Sequence, residues 1–191
     1  MLKPVQITID WQTPQPAVDA LDPGKFPTFG GDWAGVYLHL IYGSHKQVVG
    51  SYIGKHQTSV AARQFEHLAS YAAGDYNLLD ASGQRAFSRG ASLPANFTDL
   101  VVDHLSRMIV IFGHLVVTPQ GHLPSWADAS EALLQRSPSW ISNGGSRLNF
   151  RQEQPSYQMF DRFELVHRGA SEALAIFGNS TLWDRVQKTV I

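Results

Sequence analysis

Residues 35–72 read GVYLHLIYGSHKQVVGSYIGKHQTSVAARQFEHLASYA, and this stretch decides how the chain is interpreted. Gly35–Ile41 and Gln47–Ile53 are runs rich in β-branched and aromatic residues. Tyr42-Gly43-Ser44-His45-Lys46 between them carries turn chemistry, so the pair reads as a β-hairpin. Thr58 or Ser59 can cap a helix that runs to about Ala72 and is stopped by Gly74. Ala61, Phe65, Leu68 and Ala72 recur at helical spacing there and are expected to face the core. Arg63 and His67 stand at i and i+4, so both project from a second face.

Upstream, residues 1–34 read as an arm. Pro4, Pro14, Pro16, Pro23 and Pro27 punctuate it, and only Val5–Trp11 alternates like a short strand. Downstream, about residues 74–98 form a polar, turn-rich insert. A short helix is expected over Asp99–Ser106. Arg107–Thr118 is the most apolar run of the chain and reads as a buried strand, with a kink expected at Gly113. After a turn at Pro119–Pro124, Ser125-Trp126-Ala127-Asp128 has a capping-box pattern and starts a helix to about Gln135. Residues 151–191 form a C-terminal extension, with a strand over Met159–Val166 and a helix over Ser171–Phe177 stopped by Gly178. Trp183 and Phe177 in that extension are expected to be core or docking residues.

Composition narrows the chemistry. The 191 residues include no cysteine, which excludes disulfides, thiolate metal sites and cysteine nucleophiles and suits a reducing compartment. Met1–Trp11 lacks the apolar run of a secretory signal, and no segment approaches the length of a membrane span. A cytoplasmic protein is expected (nuclear in a eukaryote), with no membrane partner. The net charge of −1 argues against a passive DNA-coating protein, whose phosphate contacts need an excess of cations. It leaves room for a nuclease whose positive charge is confined to one face. The eight histidines show no His-x-x-x-His pair, and no Gly-x-Ser-x-Gly elbow occurs.

Gly35-Val36-Tyr37 and Tyr52-Ile53-Gly54, one on each strand of the hairpin and followed by a helix bearing Arg63 and His67, resemble the GIY-YIG endonuclease superfamily. Tyr37 and Tyr52 are further apart than is usual in that family. Equal lengthening of both strands keeps the tyrosines close across the hairpin. The resemblance covers about residues 35–150. It implies a metal-binding glutamate on a helix behind the third strand. Glu131 matches that order, and Glu172, in the same local sequence Ala-Ser-Glu-Ala-Leu, is its rival. It also implies an asparagine after that helix, at Asn149, with Asn143 as competitor.

The fold so implied is α/β or α+β: a small three-stranded, mainly antiparallel sheet flanked by helices, with an N-terminal arm and a C-terminal extension packed on the core. The implied activity is hydrolysis of DNA phosphodiester bonds by a Mg²⁺-dependent (or Mn²⁺-dependent) endonuclease. Tyr37, Tyr52, Arg63, His67, Glu131 and Asn149 form the site, with Glu131 holding the metal. Arg63 would fork onto a phosphate oxygen. Tyr37 is the preferred general base, assisted by a nearby cation such as Arg63, the metal, Lys55 or His56, and His67 is the alternative base. With no accessory DNA-binding domain in view, the restriction-enzyme branch is the nearest likeness. The insert and extensions are then expected to read sequence and to build a homodimer. The other class consistent with the residues is a catalytically inert nucleic-acid-binding or assembly module of the same fold.

Overall fold

The computed structural model describes residues 4–21, 35–56, 60–117, 123–149 and 154–191. The helix cap expected at Thr58 or Ser59 lies outside them, and the helix expected to start at Ser125 begins at Leu123. The first half contains β1 (Val5–Trp11), β2 (Gln15–Pro16), β3 (Gly35–Tyr42), β4 (Val48–His56), α1 (Val60–Ala73), β5 (Leu78–Leu79) and β6 (Arg85–Phe87). The second half contains α2 (Phe97–Ser106), β7 (Met108–Val117), α3 (Leu123–Leu134), α4 (Pro138–Asn143), β8 (Ser146–Arg147), β9 (Arg162–Gly169), α5 (Ser171–Phe177), β10 (Ser180–Asp184) and β11 (Thr189–Val190). Short 3₁₀ turns follow β2 and precede β9.

The expected small three-stranded sheet is not what forms. The main sheet runs β11-β10-β9-β1-β7-β3-β4-β8, with β2 added on β7. It is mixed, because β1 pairs β9 in parallel while β1 with β7, β7 with β3 and β3 with β4 are antiparallel. The physical reason lies in β1. Its residues alternate, and Ile7, Ile9 and Trp11 are almost wholly buried. A strand with such a face also needs partners for two rows of backbone N–H and C=O groups. β7 supplies one row and β9 the other, so the proline-punctuated arm contributes an interior strand and the C-terminal extension continues the sheet.

The expected hairpin and third strand form the other half of this sheet. Tyr37 lies opposite Gly54 and His39 opposite Tyr52 on β4, while β7 pairs the other side of β3. β7 runs through Gly113 without a break in register on either side, so no bulge interrupts the strand there. A Cβ at Gly113 would stand 2.7–2.9 Å from Ile9, Trp11 and Val36, so close packing explains the glycine. The insert folds back as the small β5–β6 hairpin, a separate two-stranded sheet. Trp183 and Phe177 are buried, as core residues should be.

Two cores sandwich the sheet. On one face Val36, Leu38, Leu40, Ile53 and Ile111 pack with Ala132, Leu133 and Leu134 of α3 and with Ile176 and Phe177 of α5. On the other, Tyr37, Ile41, Val110 and Phe112 pack with Leu68 and Tyr71 of α1 and Val101 and Leu105 of α2. α1 differs from expectation in which residues it buries. Gln64, His67, Leu68 and Tyr71 face the sheet, whereas Phe65 is 45% exposed. The strand face beneath α1 carries Tyr37, His39 and Tyr52, so polar residues that can bond them face inward and the phenyl ring does not.

Candidate functional site

The site grows from the alternation of β3. Tyr37 and His39 are two residues apart and share a face, and Tyr52 of β4 joins them opposite His39. Tyr37 lies across Gly54, where an added Cβ would run into its ring and hydroxyl. The glycine of the second tripeptide therefore lets the phenol reach across β4. α1 closes over this face. The Tyr37 hydroxyl lies 2.5 Å from His67 Nε2, and Arg63 and Tyr52 act on it electrostatically. The rings of Tyr37 and Tyr52 stack at 6.1 Å, and His67 stands edge-on to both at 5.4 and 5.2 Å.

Burial sets the charge state of these groups. It pushes the Tyr37 phenol well above its ordinary value, with Tyr52 and Glu131 adding to the rise and Arg63 opposing it. Burial lifts Tyr52 to about 12, helped by Tyr76 and Glu131. Burial, with His39 and Arg63 nearby, lowers His67 to about 2. Near neutral pH His67 is therefore an uncharged imidazole whose Nε2 can accept the Tyr37 proton. Burial works against the charge on Arg63, but its hydrogen bond to Glu66 and the neighbouring phenols hold its pKa above the usual value. Arg63 is a permanent cation beside the two phenols.

Glu131 arrives from elsewhere. α3 packs on the face opposite α1, so the carboxylate belongs to the other layer. It is nonetheless close enough to raise both phenols. One carboxylate oxygen lies 2.9 Å from Lys55 Nζ, and Gln135 Nε2 donates to the other at 3.1 Å. Lys55 also pairs with Asp128 at 3.0 Å. Glu172 is placed differently: its carboxylate accepts from Ser171 and acts on Tyr42, at the far end of β3.

Asn149 stands at the edge of β4 with both ends of its amide engaged. Its Oδ1 accepts from Ile53 N at 2.9 Å and its Nδ2 donates to Ile53 O at 2.6 Å. Asn143 instead donates to Ala175 O and Ile176 O on α5, away from the tyrosines.

The structure thus gathers Tyr37, Tyr52, Arg63 and His67 directly and sets Asn149 as a clamp on β4, while Glu131 stays in the layer across the sheet, within electrostatic reach of both phenols. Sequence reasoning missed His39 and Gln64. His39 is fully buried, is held to about 4 by burial, and bonds Gln64 at 2.7 Å. Two signals could have found the pair: His39 is two residues from Tyr37 on one strand, and Gln64 is three from His67 on one helix. Tyr76 was also missed; its ring lies 5.3 Å from His67.

A magnesium ion fits this donor set only as a loosely held one. Among the described residues no group of three or more His, Asp or Glu side chains converges in metal-holding geometry. Glu131 is a single buried carboxylate, and magnesium accepts one carboxylate when water and phosphate complete its shell. Lys55 already neutralises that carboxylate and must yield or share it. Among the described residues no helix is long and apolar enough to cross a membrane. Comparison with known proteins supplies no relative: no family model, no curated protein and no solved structure matches the chain.

Proposed function

We propose that this chain is a divalent-metal-dependent endonuclease that hydrolyses DNA phosphodiester bonds. The observation that carries the reading is the junction at the Tyr37 hydroxyl. His67 bonds it there, and Arg63, Tyr52 and Glu131 lie within electrostatic reach.

Water attacks phosphorus in line with the departing 3′ oxygen, the bond to that oxygen breaks, and the water's proton must leave. Tyr37 is protonated at rest, since its pKa is raised, so it cannot accept a proton without losing one. The bond to neutral His67 offers the outlet: as the water proton passes to Tyr37, the phenol proton passes to Nε2. His67 is a weak acceptor in the free protein. A phosphodiester anion beside Arg63 raises its pKa, because a negative charge favours imidazolium. Arg63 binds the nonbridging oxygens through its planar fork. Tyr52 orients the water or the phosphate. Magnesium at Glu131 would supply Lewis acidity toward the phosphoryl oxygens and steady the leaving oxygen.

Incubating supercoiled plasmid with and without Mg²⁺ tests this directly. Wild type is expected to nick or linearise plasmid only with the ion. Arg63→Ala and Glu131→Ala are each expected to lose at least about a hundredfold in rate. Intact plasmid with wild type in both Mg²⁺ and Mn²⁺ would refute the nuclease reading. The restriction-type form of the reading adds a homodimer and sequence-specific ends, with the β5–β6 hairpin and the terminal strands as the reading elements. A monomer that nicks without sequence preference removes that part alone.

One observation favours a second reading, an inert nucleic-acid-binding module. Lys55 already satisfies the charge of Glu131, as an inert site needs and a metal site does not. Binding to DNA without cleavage under every divalent ion would select it.

A further inference from the structure

The sheet edge beside Glu131 continues into a second polar feature. Ser137 and Pro138 start α4, which places Trp140 against the sheet, buried, with its Nε1 donating to Ser51 Oγ at 2.7 Å. Gly144 and Gly145 then turn the chain back. A Cβ at Gly144 would meet Ser51 Oγ and the Trp140 ring, and Gly145 has φ +63° and lies hard against the Val49 backbone. These two glycines let β8 pair with β4 at Gly50 and Ser51. The pairing sets Arg147 over the fixed indole, its guanidinium carbon 5.9 Å from the ring centroid. Gln135, Trp140, Arg147 and Asn149 line a cleft of about 190 Å³ at this place.

Arg147 is the charged group of the cleft. The Asn149 amide is committed to Ile53, and Gln135 bonds Glu131. Among the described residues no carboxylate pairs with Arg147. An arginine held on an aromatic shelf without an internal counter-ion is arranged to take an anion from outside. The cleft also begins where the candidate reaction centre ends: Gln135 is one helical turn beyond Glu131, about 6 Å along the axis.

We propose that this cleft is a second phosphate subsite, in which Arg147, on the α3 side of the sheet, holds a backbone phosphate of the same nucleic-acid strand that presents another phosphate to Tyr37 and Arg63 on the α1 side. The inference rests on the nucleic-acid part of the reading above and extends it by a positioning residue away from the reacting atoms. The subsite carries no sequence information. It fixes the strand's register across the β4 edge.

The test is binding of a fluorescently labelled duplex oligonucleotide, followed by anisotropy in EDTA over a range of salt concentrations. It compares wild type, Arg147→Gln and Arg147→Lys. Arg147 is exposed, so the variants should melt like wild type, and thermal melts check this. Loss of one phosphate contact lowers the log–log salt slope by about 0.9 and weakens binding about tenfold at low salt, while Arg147→Lys keeps the slope. An unchanged slope in Arg147→Gln overturns the subsite and leaves the nuclease reading standing. A wild type that binds no oligonucleotide at low salt overturns both. A slope change in a protein that never cuts plasmid supports the subsite and removes the enzyme.

Discussion

The two faces of the central strands are built from opposite materials. Toward α3 and α5, Val36, Leu38, Leu40, Ile53 and Ile111 make a hydrocarbon layer. Toward α1, the same strands present Tyr37, His39 and Tyr52, met by Gln64 and His67. The first face lowers the free energy of the fold by removing apolar surface from water. The second buries groups that prefer water and leaves some unmatched, since among the described residues His39 Nδ1 and Gln64 Nε2 find no hydrogen-bond partner. β3 thus places adhesion on Val36, Leu38 and Leu40 and candidate chemistry on Tyr37 and His39, before Ile41 returns its other face to the apolar core.

Acid should expose this contrast most strongly. Burial holds His39, His104 and His167 at about 4 and, with His39 and Arg63 adding to it, His67 at about 2. Unfolded histidines titrate near 6.5, so between that pH and the folded values the unfolded chain binds more protons. Stability is therefore complete above about pH 6.5 and is lost as pH falls. Each histidine held at about 4 contributes a loss of roughly 3 kcal/mol once that pH is reached. A few such losses match the whole stability of a domain, so urea melts should show acid unfolding between about pH 4 and 6. A stability that stays level from pH 7 to 4.5 would contradict the buried, neutral histidines on which the proposed proton path depends.

The next largest effect separates chemistry from stability at one residue. Tyr37→Phe keeps the ring and removes the hydroxyl that bonds His67. Plasmid cleavage is expected to fall about 10³-fold, the range of a lost acid–base group. Stability should change by only about 1–2 kcal/mol, since one buried hydrogen bond is lost. The neighbouring Leu38→Ala, one residue along and on the other face, should behave conversely. It is expected to cost about 3 kcal/mol in urea melts by opening a cavity, with cleavage by the folded protein near wild type. If Tyr37→Phe cuts as well as wild type, the face with Tyr37 and His39 loses its catalytic meaning.

How much of this was legible in the sequence depended on how local the deciding interaction was. The hairpin, its turn, both tyrosines and the i, i+4 pair Arg63 and His67 are encoded within 38 contiguous residues, and the structure brings them together. The partners of β1 were not legible. Its alternation announces a strand, but its neighbours β7 and β9 lie about a hundred residues or more along the chain, at registers such as Ile7 opposite Val117 and Ile7 opposite Leu165. That non-local pairing turned an expected arm into the middle of the sheet. The buried face of α1 was misjudged for a related reason. Hydrophobic periodicity favours Phe65, but the surface awaiting the helix is polar, and Gln64 with His67 fits it. The choice of Glu131 over Glu172 came from element order, and Glu131 is the one that acts on Tyr37 and Tyr52.

The smallest expected effect concerns the residue whose role the structure most revises. Asn149 entered as a member of the catalytic set. Its amide instead takes the place of a missing neighbour strand, satisfying both the N–H and the C=O of Ile53. It continues an edge pairing in which Leu148 N donates to Ser51 O at 2.8 Å. A group with donor and acceptor both committed to backbone has little left for a phosphate. Asn149→Ala is therefore expected to cost about 1–2 kcal/mol in a urea melt and to raise KM by a few fold, with kcat nearly unchanged. Asn149→Asp turns the donor to Ile53 O into a carboxylate oxygen facing that carbonyl and should be no more stable than alanine. A hundredfold drop in kcat for Asn149→Ala, with the melt unchanged, would put the side chain back among the groups that touch the reacting phosphate. The β4 edge would then be a flexible part of the site, and the division between an apolar supporting face and a polar reactive one would have to be redrawn along that strand.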